Sequence, residues 1–567
     1  MSEYPRSFVI LLWALVALAV LLTLPVIAWR TFDGDEFEHV HGGWCVYHGQ
    51  VPYRDYFDNH TPLLHFVLAG LFPLFGEDIP ALFAARAMMA LLCLVVLAAT
   101  HGLAKRVCDR QTAALAVLLL AFATVFFAKG IEVRPDSAAL ALGLLAQVCL
   151  VRAMTSSHRA WCCLSGLAIG GSLMFAQKYV FMYIGLSLAA LLPIVHVRNA
   201  SDARTRIGLA AVFFAASVVP TLLTLFWFSA NGAVDDFMKQ NFGFNVSYTN
   251  VISPPYRHLR DSVSESPFVW GAGVAGIGLS VWQLRGGVRD ASGHVVLLLC
   301  TLVPMAGMLF APVYRQYLLQ FMPLLAIHAA IVLRKILAPM FVTLPGDGTR
   351  GAGVAGYVLV VGGVAALLAS AVSNAVWPTS FILDDRNLAL VVCGLAAILM
   401  ARSWLSRLGT LGAGLVVMAV VYHPLVQSGL LIGVLASNPG HAYSNAQQVA
   451  DIRHVMSITA PADVVLDGWS GASVFRPHAY YYHSINREMR ANLSTEALSK
   501  RVVEAMRERK CKAIVYDAEI AALPSEVQEF VHAHYRPTSY RSRYATIYVV
   551  RSDDGCPFVA NARMENG

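Results

Sequence analysis

The fold is decided by the stretch LLWALVALAVLLTLPVIA at residues 11–28, which runs directly into the acidic stretch WRTFDGDEFEHVHGGW at residues 29–44. An uncharged apolar run of about 17–25 residues has the length of a helix that crosses a hydrocarbon core of roughly 30 Å. The carboxylates that follow are costly to bury in lipid. The two stretches therefore predict a membrane-spanning helix with a cluster of acids at its exit. Because no small-residue cleavage pattern follows the run, we interpret it as a retained first helix.

The rest of the chain repeats this apolar character. Of its 567 residues, 57% are hydrophobic and 14% are charged, and the mean hydropathy is +0.58. Soluble globular domains carry roughly 25% charged residues, so that class is excluded. Runs of spanning length predict about thirteen transmembrane helices, near residues 8–29, 81–101, 112–128, 137–153, 161–176, 179–196, 207–229, 268–284, 294–311, 317–333, 353–371, 388–401 and 410–436. We therefore expect a polytopic all-α membrane domain over residues 1–437.

Basic residues follow every even-numbered span. Lys105, Arg106 and Arg110 follow the second span, and Arg152 and Arg159 follow the fourth. The positive-inside rule assigns such loops to the cytoplasm. The N-terminus is therefore predicted inside and, because the number of spans is odd, the C-terminus outside the plasma (inner) membrane. The net charge of +7 follows from this topology, so it indicates no nucleic-acid partner.

Residues 438–567 are polar and predict a small separate domain on the periplasmic or extracellular side. Short apolar runs near residues 464–466, 513–516 and 546–550 are separated by helical patterns near residues 496–509 and 524–534. This alternation is typical of an α/β domain. A Cys511–Cys556 disulfide is compatible with an oxidising compartment.

The outer loop at residues 30–80 holds the densest polar sequence of the membrane part. Asp33, Asp35, Glu36 and Glu38 lie within a few positions of one another. Repulsion between such carboxylates raises at least one pKa, which suits a base near neutral pH. The simpler alternative is a solvated loop whose acids face water. Interleaved aromatic residues and the apolar segment 63–75, too short to span, instead favour a loop held against the bilayer.

Three features of this loop resemble a known superfamily. The first span is followed by the acidic pair Asp35–Glu36, then by GQVPYRDYF at residues 49–57 and by NHTPL at residues 59–63. Together they resemble the GT-C glycosyltransferases, in particular the protein-mannosyltransferase and aminoarabinose-transferase-like membrane enzymes. The resemblance covers most of the chain. It implies an enzyme that takes a sugar from a polyprenyl-phosphate donor on the outer face of the membrane.

The resemblance also implies roles for particular residues. The outer-loop acid of the superfamily matches Asp35, with Glu36 beside it, and a second outer acid in the turn after the third span matches Asp136. These are the implied catalytic residues, with Asp35 as the base. In aminoarabinose-type relatives a Lys often precedes the Pro at the end of the loop, whereas this chain has His60 and Thr61 there. His60 is therefore the candidate phosphate contact at that point.

Three basic residues are candidates for holding the donor phosphate. A leaving phosphate needs nearby cations, and Arg134, Lys178 and Arg315 lie on short turns that the topology places outside. Arginine suits bidentate phosphate contact. Each has a structural alternative. Lys178 could snorkel to the interface, Arg315 could pair with an acid, and Arg134 could pair with Asp136.

Glu38, His39 and His41 are candidate ligands for a divalent metal ion, because carboxylates and imidazoles both bind such ions. They lie in a segment that we interpret as an irregular loop, and the resembling enzymes include metal-dependent and metal-independent members. No cofactor is therefore assigned. The chain has 10 cysteines but no CxxC pair, so a cysteine-based metal or redox site is not expected.

The expected function is transfer of a sugar, with inversion, to a cell-envelope acceptor: lipid A, a glycan or a protein. Mannose, galacturonate, aminoarabinose and arabinofuranose donors all fit the resemblance. One alternative is a transporter or flippase of a lipid-linked sugar. Transporters place ionisable groups near the bilayer midplane and show paired halves, whereas these polar residues cluster at one face. A second alternative is a scaffold that binds a cell-wall component, which would not need acids and cations on separate turns.

Overall fold

The computed structural model describes residues 4–195, 200–247, 257–285, 291–308, 314–338 and 443–551, together with Val417, Val421, Ile432 and Gly433. The helices of its membrane part are α1 Arg6–Trp29, α2 Gly34–Tyr47, α3 Leu63–Ala69, α4 Phe72–Phe75, α5 Ile79–Val107, α6 Arg110–Ala121, α7 Thr124–Lys129, α8 Pro135–Ser156, α9 Arg159–Phe175, α10 Val180–Val195, α11 Ala200–Ala230, α12 Val234–Met238, α13 Phe244–Ser247, α14 Arg257–Glu265, α15 Pro267–Arg285, α16 Ala291–Gly307 and α17 Met322–Leu337. Two 3₁₀ helices, Gln177–Tyr179 and Arg315–Gln320, and a π-helical turn, Lys239–Gly243, lie between them.

Five of these helices, α1, α5, α8, α11 and α15, are long and apolar enough to cross a membrane. Shorter apolar helices include α6, α9 and α16. Helices suit a lipid environment because each satisfies its backbone polar groups within its own segment. By length and composition the chain is a membrane protein, and its predicted helical character is confirmed.

The described helices follow the predicted spans with two interruptions. The predicted span 317–333 begins in the 3₁₀ helix Arg315–Gln320, and α17 starts only at Met322. The predicted span 112–128 is divided, since α6 ends at Ala121 and α7 begins at Thr124, whose backbone N–H donates to the Ser266 hydroxyl at 3.2 Å. The predicted spans 353–371 and 388–401 lie outside the described residues, as does nearly all of 410–436. The count of thirteen spans therefore stays a prediction.

The acidic stretch that we interpreted as an irregular loop contains the helix α2. The Asp33 side chain caps it by accepting from the Asp35 backbone N–H at 3.1 Å, and Glu36 Oε1 accepts from the Asp33 N–H at 2.9 Å. This capping box satisfies N–H groups that a first helical turn leaves without partners. The apolar segment 63–75 forms the two short helices α3 and α4, with Leu74 and Phe75 exposed.

Close helix pairs build the core of the membrane part. Helix α9 packs between α8 and α11, and α17 packs between α6 and α15. Glycines permit these approaches, because a Cβ atom on Gly170 of α9 would overlap the backbone of Ser217 in α11, and one on Gly276 of α15 would overlap that of His328 in α17. Small residues serve this purpose in membrane proteins generally.

Residues 443–551 form a mixed α/β region. Its strands are β1 Val465–Asp467, β2 Ala513–Tyr516, β3 Tyr535–Pro537 and β4 Thr546–Val550, and its helices are α18 Ala446–Ile458, α19 Arg487–Asn492, α20 Thr495–Leu498, α21 Lys500–Glu508, α22 Ala518–Ala521 and α23 Ser525–His534. The strand order is β1-β2-β4-β3, with β1 and β2 parallel and the other pairs antiparallel. Cys511 is buried here. Its suggested disulfide partner, Cys556, lies outside the described residues.

This α/β region packs directly on α2. A Cβ atom on Gly34 would overlap the Trp469 indole, and one on Gly471 would overlap the Phe37 ring. The Thr31 backbone N–H donates to the Tyr443 carbonyl at 2.7 Å. The acidic helix is therefore held between the membrane helices and the α/β region.

Candidate functional site

The acids at the start of α2 and the charged turn at residues 129–136 meet at one end of the helices. Arg30, which follows α1, joins them. Its guanidinium donates to the Ala128 carbonyl at 2.8 Å and contacts the Glu132 carboxylate at 3.2 Å. The structure thus brings together two segments that lie about a hundred positions apart in the chain.

Glu36 is fully buried at the centre of this junction. Arg86 of α5 donates to both of its carboxylate oxygens, at 2.8 and 2.7 Å, and the Val133 backbone N–H donates at 3.1 Å. Arg86 donates also to the backbone carbonyls of Ile27, Arg30 and Thr31. Although burial opposes it, the Arg86 guanidinium holds the pKa of Glu36 below its ordinary value. Because both of its carboxylate oxygens accept hydrogen bonds, Glu36 holds the first turn of α2 in place.

Asp35, the next residue, has different surroundings. Its Oδ2 forms an ion pair with Arg134 Nη1, and Asp33 lies 3.6 Å from the same nitrogen. The Asp35 side chain keeps 27% of its area exposed, whereas that of Glu36 keeps 0%. Burial raises the pKa of Asp35, and the Arg134 guanidinium opposes that rise. An accessible carboxylate with a raised pKa suits a general base.

Asp136 connects two of the predicted phosphate-binding cations. It lies in the first turn of α8, where a helix N-terminus favours a carboxylate. Its carboxylate forms an ion pair with Lys178 Nζ and lies 3.8 Å from Arg134 Nε. Lys178 Nζ also lies 3.9 Å from the centroid of the Tyr317 ring. The structure therefore places Arg134, Lys178 and Asp136 in one contact set.

Arg315 lies on the neighbouring 3₁₀ helix and pairs with Glu265. Its Nε atom is buried without a hydrogen-bond partner. Tyr317, two positions further along, carries the ring that Lys178 covers. Arg315 therefore lies near the contact set, because Tyr317 of the same 3₁₀ helix touches Lys178. Its own partner is Glu265.

His60 is held in place from several directions. Asp58 Oδ1 accepts from the His60 backbone N–H at 2.8 Å and lies 3.0 Å from His60 Nδ1. The His60 carbonyl accepts from the Tyr53 hydroxyl at 2.5 Å and from the Asn241 side chain at 3.0 Å. The other Asp58 oxygen lies 3.2 Å from His65 Nε2. The His60 ring opposes the rise in the pKa of Asp35, so the two side chains share one region.

The three candidate metal ligands of the acidic stretch do not form one cluster. The His39 ring nitrogens are buried without hydrogen-bond partners, and its ring lies 5.0 Å from that of His60. His41 contacts His478 instead. Burial, helped by nearby acids, raises the pKa of Glu38 well above its ordinary value. Within the described ranges, neither Glu38 nor His39 belongs to a group with the geometry to hold a metal ion.

Sequence reasoning missed four charged residues of this site. Lys129 Nζ lies 2.8 Å from Glu132 and 3.4 Å from Asp33, and Arg30 completes this group. The crowding of charges in KGIEVRPD at residues 129–136, a turn that the predicted topology places outside, was a usable signal for Lys129 and Glu132. Arg86 gave no such signal, because it lies inside an apolar span and its role depends on Glu36.

The charges of the site are balanced before any ligand binds. The cations Arg30, Lys129, Arg134 and Lys178 face the carboxylates Asp33, Asp35, Glu132 and Asp136. Such pairing is required where charges are withdrawn from water. Any anion that binds here must therefore compete with one of these carboxylates for a cation.

Comparison with solved structures places this arrangement in a known fold. The ArnT protein from Cupriavidus metallidurans bound to undecaprenyl phosphate superposes with a TM-score of 0.58, at 14% identity, over 97% of this chain and 99% of that chain. Its apo form gives a TM-score of 0.55 at 14% identity, over 94% and 97% of the two chains. The chain has the GT-C fold. The fold that the resemblance implies is thereby confirmed.

Two further comparisons agree with the GT-C fold. The Archaeoglobus fulgidus oligosaccharyltransferase tethered with an acceptor peptide gives a TM-score of 0.51 at 12% identity, over 94% of this chain and 74% of that chain. The family model of dolichyl-phosphate-mannose-protein mannosyltransferases matches residues 59–224. A sequence search of curated proteins finds no match.

Proposed function

We propose that the chain transfers a sugar from a polyprenyl-phosphate donor to a cell-envelope acceptor on the outer face of the plasma membrane, with inversion at the anomeric carbon. The observation that carries the proposal is the ion pair between the accessible carboxylate of Asp35 and Arg134, one of the two cations of the contact set, at the end of apolar helices. The undecaprenyl phosphate of the ArnT structure and the acceptor peptide of the oligosaccharyltransferase support the two substrate classes.

Asp35 acts as the base in this proposal. Its carboxylate takes the proton of the acceptor hydroxyl or amine while the acceptor atom bonds to the anomeric carbon. The bond from that carbon to the phosphate oxygen breaks, and its electron pair leaves with the polyprenyl phosphate. Attack from the face opposite the leaving group inverts the configuration. Such base catalysis typically contributes about 10²–10⁴-fold in rate.

Arg134 and Lys178 stabilise the negative charge that grows on the leaving phosphate. Preorganised cations act strongly here because they need no rearrangement during the reaction. Asp136, which contacts both, fixes their positions. Arg315 and His60 are further phosphate contacts, each held at the side of the same region by Glu265 and Asp58. Glu36 positions the helix that carries Asp35.

The proposed orientation places the N-terminus in the cytoplasm and residues 443–551 outside. The basic loops support it through the positive-inside rule. Segments that this topology assigns to the outer side also contact one another. Asn245 donates to the Asn59 carbonyl at 2.8 Å, and the Phe57 N–H donates to the Tyr481 carbonyl at 3.0 Å.

A purified-protein assay tests the proposal. The protein is incubated with labelled polyprenyl-phosphate sugars and a cell-envelope extract, and transfer and donor binding are both measured. Asp35→Asn should lower kcat by at least about 100-fold, because the base is lost, while donor binding stays nearly intact. Asp261→Asn is the matched control, since its carboxylate is paired with Arg260 outside the site and its loss should leave transfer unchanged.

Full turnover by Asp35→Asn would show that another group is the base. Movement of the labelled lipid across a proteoliposome membrane without transfer would instead support the flippase alternative. Mass spectrometry of envelope glycans from cells with and without the protein then identifies the sugar and the acceptor.

A further inference from the structure

A cluster of side chains whose types commonly bind metal ions lies further along α2, away from Asp35. His41 and Cys45 are one helical turn apart and therefore lie on the same face of α2. His478, from the segment that follows β1, meets them there. His41 Nε2 lies 3.0 Å from His478 Nδ1, and Cys45 Sγ lies 3.5 Å from His41 Nε2 and 3.8 Å from His478 Nδ1.

These separations fit one tetrahedral ion. Zinc binds histidine nitrogen at about 2.0–2.1 Å and cysteine sulfur at about 2.3 Å, so its ligand atoms lie about 3.3–3.6 Å from one another. The three observed distances fall close to that range. All three side chains are buried, with 5% of His41, 0% of Cys45 and 5% of His478 exposed. A mixed imidazole and thiolate set selects zinc over magnesium or calcium.

The orientation of the rings also fits. His41 Nδ1 donates to the Val474 carbonyl at 3.0 Å, which directs the lone pair of Nε2 towards Cys45 and His478. A backbone carbonyl in this position is a usual partner of a zinc-binding histidine.

A fourth ligand position is available beside the cluster. The ring of His483 lies 4.9 Å from that of His41 and 5.6 Å from that of His478. Both of its nitrogens are buried, and neither makes a hydrogen bond of standard geometry. A cavity of about 30 Å³, lined by all three histidines and by Glu38, has room for about one water molecule.

We propose that His41, Cys45 and His478 bind a structural zinc ion, with His483 or a water molecule as the fourth ligand. On binding, the Cys45 thiol releases its proton to solvent and coordinates as a thiolate. The ion fastens α2 to the segment after β1, and so fixes the helix that carries Asp35. This proposal does not rest on the proposed sugar transfer.

Metal analysis of the full-length protein, purified in detergent without chelator, tests the site. We expect about one zinc ion per chain in the wild type and at least about tenfold less in Cys45→Ser and His478→Gln. Cys511→Ser and His454→Gln are the controls and should retain the zinc, since both residues lie in the α/β region outside the cluster. Elution as a single species in gel filtration checks that each variant is folded.

Cobalt substitution of the wild type gives a test that needs no variant. A tetrahedral Co²⁺ ion with one thiolate ligand shows strong visible absorption and a sulfur-to-cobalt charge-transfer band in the near ultraviolet. Wild-type protein without zinc and without that band would overturn the proposal. So would zinc that stays bound in both ligand variants, because the ion would then lie elsewhere.

Discussion

Asp35 and Glu36 are neighbours in the chain but have different chemistry available to them. Glu36 is fully buried and bound by Arg86, whereas Asp35 is partly exposed and touches Arg134. The difference arises because α2 begins here and directs successive side chains to different sides. The Glu36 side chain faces α5, and the Asp35 side chain faces the turn before α8. Of the two, only Asp35 is accessible from outside the fold.

The fall of kcat/KM at low pH, the acidic limb of its pH profile, should report the ionisation of Asp35. A base must be deprotonated, so kcat/KM falls as the pH drops through its pKa. Burial raises that pKa and Arg134 lowers it. Arg134→Gln should therefore move the acidic limb to higher pH, in addition to any loss of donor affinity. The measurement is kcat/KM against pH for the wild type and the variant.

Lys129→Gln serves as the comparison for that experiment. Lys129 also lowers the pKa of Asp35, but less than Arg134 does. Its removal should shift the limb in the same direction by a smaller amount. An acidic limb at the same pH in all three proteins would contradict the assignment of Asp35 as the titrating base.

The side chains of the acidic stretch could be predicted as a site because their signal is local. Asp33, Asp35, Glu36 and Glu38 lie within six consecutive positions of the chain. Arg134 and Asp136 lie close together in one short charged turn. The buried pairing of Glu36 could not be predicted. It depends on Arg86, which lies 50 positions from Glu36 and whose only sequence signal is a charge within an apolar run.

At the scale of elements, the start of α2 depends on the buried Arg86–Glu36 pair. Removing one partner of such a pair leaves an uncompensated charge and costs about 3–5 kcal/mol. Arg86→Ala should therefore lower the thermal unfolding temperature of the purified protein markedly. Arg260→Ala, which breaks an exposed pair with Asp261, should leave it unchanged.

The pH dependence of the stability lost in Arg86→Ala gives a second check on the Arg86–Glu36 pair. The folded-state pKa of Glu36 is lowered, so the pair stabilises the fold above the ordinary carboxyl pKa and loses its effect as the pH falls through the lowered value. The difference in unfolding temperature between Arg86→Ala and wild type should shrink over that acid range. A difference that is constant with pH would mean that the loss is one of packing alone.

The contact between α2 and the α/β region depends on Gly471. Its φ is +75°, and a Cβ atom there would overlap the Phe37 ring. Gly471→Ala adds roughly 1–2 kcal/mol of backbone strain and displaces Phe37. We expect faster amide hydrogen exchange in α2, measured by mass spectrometry.

Gly232→Ala is the matched control for strain. Gly232 has a φ of +65° but nothing within 4 Å of its Cβ position. Gly232→Ala should add similar backbone strain without changing amide hydrogen exchange in α2. If the two variants affect α2 equally, the effect is not due to the contact between Gly471 and Phe37.

The helix α2 itself was missed from the sequence. Its capping box, Asp33 followed three positions later by Glu36, was present as a signal. The short apolar segment at residues 63–75 was recognised as too short to span, because length alone decides that question.

At the scale of the whole molecule, the orientation in the membrane remains a prediction that labelling can test. Single cysteines at Ser156 and Ser457, in a background without the native cysteines, would lie on opposite sides of the membrane by the positive-inside rule. Both serines are exposed at helix ends. A membrane-impermeant maleimide added to intact cells should label Ser457→Cys and spare Ser156→Cys until the cells are permeabilised. The reverse pattern would invert the proposed topology.

The overall helical architecture could be predicted because lipid allows few alternatives. Hydropathy alone marks the long spans, such as α1 and α5. The assembly of the site could not be predicted in the same way. It requires contacts such as that between Arg30 and Glu132, 102 positions apart, and between His41 and His478, 437 apart. Such distant contacts leave no spacing pattern in the sequence.

The charge balance of the site has a consequence for the order of events in a catalytic cycle. Arg134 is already paired with Asp35, so the carboxylate is engaged while the donor is absent. A phosphate that binds Arg134 would release Asp35 at the moment when its basicity is needed. We therefore expect compulsory-order kinetics, with the lipid donor binding before the acceptor. An acceptor that arrived first would meet a carboxylate that is still paired with Arg134 and is therefore a weaker base. Asp35 would then not take a proton before the donor is in place.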